Sequence, residues 1–351
     1  MDLTALDSLL AARGEPAFRR KQIWEWLARG VATYEEMTNL PASLRAALAG
    51  ELPLSTLTLE REAVSRDGTR KALFATADGR PLETVLMSYR DGRRSICVSS
   101  QSGCPLTCSF CATGRMAFGR NLTASEIIDQ ALHFRRRGEV NHCVFMGMGE
   151  PLMNLDAVID ACELLPDVGI ATSHTTISTV GWIPGIERLA TEGPRVRLAL
   201  SLHAAEGDVR SALMPVNERY PLDDVIEACL RWREQRRKRI YIEYLMLDGV
   251  NDEPDQALVL AEALRPREAF KVNLIPFNPT PGEFTGSSPS RIAAFRSVLQ
   301  RSGLPTTVRM TRGRDIAAAC GQLAAGSPAG AAPAAERTSP AAARTRAVRS
   351  P

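Results

Sequence analysis

From about residue 93 onward the chain alternates between β-like runs and helical segments, and no other feature limits its fold so sharply. The runs SICVSS, HCVFMGMG, TTISTVG, VRLALSLH, RIYIEYLML and FKVNLIPFN alternate with stretches of helical periodicity, the pattern of βα units laid around a parallel sheet. Six runs are too few for a closed eight-stranded barrel. The sequence therefore predicts an α/β fold built on a partial, TIM-like (β/α)6 barrel. The first helix is expected to open at Thr123-Ala-Ser-Glu126, a capping box. Reactive groups in such folds collect at the carboxyl ends of the strands. There this chain carries Cys104 to Cys111, Gly147 to Glu150, Ser178, Ser201 to His203 and Asn278.

Cys104, Cys108 and Cys111 share one short loop, GCPLTCSFCATGR. Thiolates at this spacing suit a four-iron cluster in which one iron stays open to a substrate or cofactor. A zinc knuckle is the alternative. It would need a fourth ligand, and His133, His142, His174 and His203 all lie outside the loop, so that ligand would come from elsewhere in the chain. Gly147-Met148-Gly149-Glu150-Pro151 adds a weaker signal: glycines let the backbone approach a ligand, and Glu150 can accept bonds from an amine or from hydroxyls. Beside an open iron this combination fits S-adenosylmethionine, whose one-electron reduction gives a 5′-deoxyadenosyl radical.

The rest of the chain divides by composition. Residues 1–55 read as a small helical accessory domain, with Leu6, Leu9, Leu10, Ile23, Trp24, Trp26 and Leu27 at helical spacing. Residues 56–92 read as a β-rich connector whose runs are broken by the turn signals Asp67-Gly68 and Asp78-Gly79. Residues 93–323 form the core, and 324–351, nearly all Ala, Pro, Gly, Ser, Thr and Arg, read as a disordered tail. With no apolar twenty-mer and no export signal, a cytoplasmic location away from membranes is expected.

Eight cysteines in such a chain argue for metal or redox use instead of a disulfide scaffold. Cys143, Cys162 and Cys229 sit in apolar-periodic segments and read as core, which leaves Cys97 and Cys320 to explain. A net charge of +3 is too small to establish nucleic-acid binding, but the basic residues cluster at Arg19-Arg20-Lys21, Arg135-Arg136-Arg137 and Arg231–Arg239. Such runs are either solvated helix faces or phosphate contacts.

The stretches ICVSSQSGCPLTCSFCATG, VFMGMGEPLMN, ISTVG, LSLHA, LMPVNERYP, EYLMLDGVND, NLIPFNP and TRGRDIAAACGQL resemble the RlmN family of radical SAM adenine-C2 methyltransferases. The likeness runs from about residue 5 to 323. It implies one [4Fe-4S] cluster on Cys104, Cys108 and Cys111. Two molecules of S-adenosylmethionine are expected per turnover, with cofactor contacts from Gly149, Glu150, Ser178, Ser201, Leu202, His203 and Asn278. It also gives the leftover thiols their roles. Adenine C2 is electron-poor, so a methyl carbon borne by Cys320 would attack it as a radical, and Cys97 would free the adduct by forming a transient disulfide with Cys320. Glu83 matches the position of the proton acceptor, although the span from Glu83 to Cys97 is one residue longer than in the best-known members.

The implied partners are 23S rRNA, tRNA and an electron donor such as flavodoxin or ferredoxin, with the chain acting as a monomer and its N-terminal helices docking RNA. The related Cfr family, which methylates adenine C8 of the same rRNA, shares the cysteines. C8 methylation and an RNA-binding protein with a structural metal are the competing readings.

Overall fold

The structure, a computed structural model, describes residues 1–280 and 282–323; the predicted tail at 324–351 lies outside the described residues. Helices α1 (Leu3–Ala12), α2 (Phe18–Arg29) and α3 (Ala42–Glu51) form the N-terminal unit. Asp2 starts α1 by accepting from the Thr4 and Ala5 backbone amides, and Gly30 ends α2 in the left-handed region at φ +92°. A Cβ on Gly30 would lie 2.9 Å from Arg135 O. That close approach docks the unit on the core. Arg135 and Arg136 complete it by donating to Ala28 O, Val31 O and Leu54 O.

Strands β1 (Leu57–Val64), β2 (Arg70–Thr76), β3 (Pro81–Ser88) and β4 (Arg94–Cys97) follow as an antiparallel meander. Gly68 and Gly79 turn the first two hairpins at φ +83° and +75°, as the Asp-Gly pairs predict. The segment expected as a separate connector is continuous with the core sheet, because Val85 of β3 pairs with Cys97 of β4. A two-strand ribbon of β5 (Gln101–Ser102) and β6 (Arg120–Asn121) then clasps the base of the cysteine loop. Helix α4 (Ala124–Arg135) opens on the predicted capping box, with both Thr123 and Glu126 bonds made.

The remaining elements alternate: β7 (His142–Phe145), α5 (Leu155–Leu164), β8 (Thr175–Thr179), α6 (Ile183–Thr191) and β9 (Arg197–Ser201), then α7 (Gly207–Leu213) and α8 (Leu222–Arg236). They end with β10 (Ile240–Met246), α9 (Pro254–Ala263), β11 (Phe270–Pro276), α10 (Pro289–Arg301) and β12 (Thr306–Val308). All ten main strands form one sheet, parallel from β4 onward. The six predicted runs all become parallel strands, and the short β12 adds a seventh. No helix of the described residues is long and apolar enough to cross a membrane.

Alternation along these strands divides the labour. Outward side chains such as Ile96, Cys143, Ile177, Leu198, Ile242 and Val272 are buried against the helices and carry the core. Inward positions are mostly polar: Cys97, Thr176, Ser178, Glu243 and Asn273. The lumen is thus a polar channel and not the packed interior of a closed eight-strand barrel.

The ladder does not close on itself, since β12 pairs with β11 and β1 with β2 in a linear order. The segment after β12 bridges that open seam. Gly313 N donates to Asp67 (3.0 Å), Ser65 to Asp315 (2.6 Å) and Lys71 Nζ to Ala317 O (3.1 Å), while Ala112 N donates to Gly321 O (2.8 Å). Cys320 rides on this strap.

Gln130 of α4 holds the turn after β4 in both directions, accepting from Ser99 N and donating to Ser99 O, each at 2.8 Å. Gln130→Leu should leave both buried backbone groups unsatisfied and lower the unfolding free energy by about 2–4 kcal/mol, measured by urea denaturation.

Candidate active site

The site is built outward from the four residues Val98–Gln101. Gly147 N donates to Val98 O (3.1 Å), Met148 N to Ser99 Oγ (2.9 Å), and Ser100 and Gln101 donate back to Met148 O. Glu150 N donates to Gln101 Oε1 at 2.8 Å. This lattice explains the glycines of GMGE. A Cβ at Gly147 would sit 2.6 Å from Val98 O, and one at Gly149, whose φ is +99°, would sit 2.6 Å from the Gln101 side chain. Both glycines also line the cavity described below, so they make room for the neighbouring turn on one side and stay open to a ligand on the other.

The cysteine loop packs against the strap and α7. Ser109 N donates to Leu213 O (3.0 Å), and Thr113 Oγ1 to Leu323 O (2.6 Å). Cys104, Cys108 and Cys111 are all free thiols. Burial pushes Cys104 up to about 12 and Cys108 well above its ordinary value, and neighbouring thiols of the loop add to both rises. Among the described residues no three His, Cys, Asp or Glu side chains are gathered as a single metal ion would need.

The residues nevertheless fit a thiolate-held anionic group. Arg210 is fully buried near Cys108 and donates to Asn217 and Val180 O, its Nε has no partner, and among the described residues it pairs with no carboxylate. Burial lowers it to about 10, and Cys108 opposes that fall. A fixed buried cation beside Cys108, in a loop of three thiols, suits a thiolate-ligated cluster.

A cavity of about 150 Å³ lies beside the loop, and Cys111, Gly149, Glu150, Ser178, Ser201 and His203 all line it. Burial raises Glu150 to about 7, against the pull of N–H bonds from Val180 (2.9 Å) and Leu152 (3.1 Å). His203 stands in the left-handed region at φ 58° and accepts from Leu245 N through Nδ1 at 3.0 Å. That bond leaves the proton on Nε2. Burial, with Arg210, lowers His203 to about 3, so the ring is neutral. Ser178 and Ser201 share a hydroxyl bond of 3.2 Å. Two of the expected contacts differ. Leu202 is fully buried, bonds Glu243 O through its amide and does not line this cavity; Asn278 lines the adjoining one.

That second cavity, about 30 Å³, brings together Cys97, Asn278, Arg309 and Cys320, of which Cys320 and Arg309 also line the larger one. Burial pushes the Cys97 thiol up to about 12, Cys320 adds to the rise, and Arg309 pulls it down. Cys320 in turn holds Arg309 cationic despite burial, helped by Glu243 at 3.3 Å. Glu83 is buried on β3 and lines neither cavity. It pairs with Lys71 at 2.9 Å, and Lys71 also bonds Ala317 O of the strap.

Arg309, Arg210 and Lys71 were missed by the sequence reading. The first two stand in VRMTRGRD and DVRSALMPV, where nothing local separates an inward-facing arginine from a solvated one.

Comparison with known proteins agrees with this geometry. The sequence profile of the Radical SAM superfamily matches residues 98–261, and that of the Ribosomal RNA large subunit methyltransferase N-terminal domain matches residues 1–52. The probable dual-specificity RNA methyltransferase RlmN of Chloroflexus aurantiacus is 46% identical over 344 residues, covering 92% of this chain and 91% of that protein. The dual-specificity RNA methyltransferase RlmN of Syntrophobacter fumaroxidans is 44% identical over 332 residues, covering 92% and 96%. A solved radical SAM methyltransferase from Sphaerobacter thermophilus superposes with a TM-score of 0.87 at 46% identity, covering 93% of this chain and 98% of that one.

Arg309→Met should disfavour the Cys97 thiolate. Below the thiol's pKa the alkylation rate follows the thiolate fraction, so iodoacetamide labelling of Cys97 at pH 8 should slow about tenfold for each unit of upward shift. An unchanged rate would show that the guanidinium does not act on that sulfur.

Proposed function

The chain belongs to the RlmN family of radical SAM dual-specificity RNA methyltransferases, and from that premise we propose that it methylates carbon 2 of an adenosine in 23S rRNA and in tRNA through a covalent protein–RNA adduct. The observation that carries this reading is the meeting of Cys97 and Cys320, distant in sequence, in one cavity that opens beside the cysteine loop. A thiol pair outside the cluster loop is what methyl transfer through a protein-bound carbon requires.

Cys104, Cys108 and Cys111 would hold a [4Fe-4S] cluster, which with bound S-adenosylmethionine supplies a 5′-deoxyadenosyl radical. Gly149, Glu150, Ser178, Ser201, Leu202, His203 and Asn278 are assigned to the cofactor. Glu150 offers an acceptor for its amine, and the Nε2–H of His203 offers a donor. Two cofactor molecules serve each turnover, one as methyl source for Cys320 and one as radical source.

The Cys320 sulfur carries the methyl group, whose carbon, stripped of one hydrogen, bonds adenine C2. The adduct radical gives up one electron to an acceptor, a role the cluster on Cys104, Cys108 and Cys111 would supply once cofactor cleavage has oxidised it, and the C2 proton passes to Glu83. The Cys97 thiolate then attacks the Cys320 sulfur, so that an S–S bond forms as the C–S bond to the base breaks. Arg309 favours the attacking thiolate. Lys71 pairs with the Glu83 carboxylate and ties it to the strap that bears Cys320. A flavodoxin- or ferredoxin-type donor supplies electrons.

Anaerobically purified protein should contain iron and acid-labile sulfide; zinc without sulfide would sink the cluster assignment. Cys320→Ala should abolish methyl transfer yet still cleave S-adenosylmethionine. Cys97→Ala should accumulate a protein–RNA adduct resolved by denaturing gel electrophoresis, and normal release of methylated RNA from that variant would contradict its role. Mass spectrometry of the product nucleoside separates 2-methyladenosine from the 8-methyl isomer.

A further inference from the structure

A cavity of about 940 Å³ opens at the N-terminal ends of the parallel strands, opposite the cysteine loop. It is wide enough for more than a single base. Its lining is strongly basic: Arg90, Arg93, Arg197, Lys271, Arg309 and Arg312 face only Asp91 and Glu243 as carboxylates. Glu243 is engaged by Arg309 deep inside, and Arg312 stands 3.9 Å from Asp67. Among the described residues no carboxylate pairs with Arg90, Arg93, Arg197 or Lys271.

The clustered basic runs contrast with this. Arg19, Arg20 and Lys21 pair with Glu15, Asp7 and Glu25, and Arg137 pairs with Glu62. Arg231 pairs with Glu187 and Glu227, while Arg236, Lys238 and Arg239 donate to backbone carbonyls. Much of that charge is committed to holding the fold.

The mouth also carries flat rings. Arg93 lies 3.8 Å over the Tyr89 ring and Arg312 5.0 Å over it, and His142 stacks on His174 at 4.3 Å with the planes 6° apart. Burial, with His174, lowers His142 to about 4, so the His142 ring is neutral. Cations interleaved with ring faces are the surface that a single-stranded nucleic acid requires, phosphates on the former and unstacked bases on the latter. The mouth is continuous with the site: Met146, Glu243 and Arg309 line both it and the 150 Å³ cavity.

We infer that this opening is the RNA entrance, where Arg90, Arg93, Lys271 and Arg312 hold phosphates while the target nucleotide is extruded up the lumen to Cys320. The base thereby reaches Cys320 from the side away from the cysteine loop. This rests on the methyltransferase reading above, which supplies the RNA.

Fluorescence anisotropy of the full-length protein with a fluorescein-labelled RNA hairpin bearing a loop adenosine tests it. Each single-stranded phosphate contact contributes about 0.7 to the slope of log K against log salt, so two lost contacts cost about 25-fold in affinity at 0.1 M salt. R90A/K271A should show that loss and a slope lower by about 1.4. R90K/K271R should stay within about threefold of the parent, which separates lost charge from lost fold, and R231A/R233A on α8 should bind like the parent. Parental affinity in R90A/K271A, or equal loss in R231A/R233A, overturns the entrance and leaves the methylation reading standing. A parent protein that binds no hairpin overturns both.

Discussion

The backbone of Val98–Gln101 is the constraint on which the rest of this molecule depends. These four residues leave β4 just after Cys97 and lead into the cysteine loop, and nearly every polar group on them is claimed. Val98 N bonds Val144, Ser99 is gripped by Gln130 and donates to Glu83 O, and Asn154 donates to Ser100 O. One turn thus fixes Cys97, the base of the cluster loop, the GMGE strand end and the backbone of Glu83 relative to one another. Buried backbone groups tolerate no loose ends, so this satisfaction is also what makes the arrangement rigid.

The second organising fact is the open seam. A sheet that runs through ten strands without closing exposes two edges, β1 and β12, and edges need cover. Here the cover is the segment that bears Cys320. Its bonds reach the β1–β2 hairpin, Lys71 and the cysteine loop, so a residue at the end of the described chain is delivered beside Cys97 in its first third. The reaction cavity is the space left between strap and lumen.

Much of this was legible in the sequence. The six parallel strands, the Asp-Gly turns, the Thr123–Glu126 capping box and the burial of Cys143, Cys162 and Cys229 follow from local pattern, because each depends on neighbours in the chain. What was not legible depends on distant contact. β12 is three residues long and too short to show a period. The β1–β3 segment looks like a connector until its pairing with β4 is known. Gly147 and Gly149 read as ligand contacts, and the sequence does not reveal that Val98 and Gln101 also crowd them. The basic runs drew attention as runs, yet the mouth assembles its arginines one or two at a time from segments far apart in sequence.

The division of each strand into an apolar outer face and a polar inner one has a consequence for how such an enzyme fails. Stability resides outside the barrel and chemistry inside it, so a substitution in the lumen disturbs little of what keeps the chain folded. Chaperones and proteases recognise unfolding and not inactivity. A lumen variant that has lost catalysis therefore persists at normal abundance, still able to occupy RNA, and the cell has no quality-control signal by which to remove it.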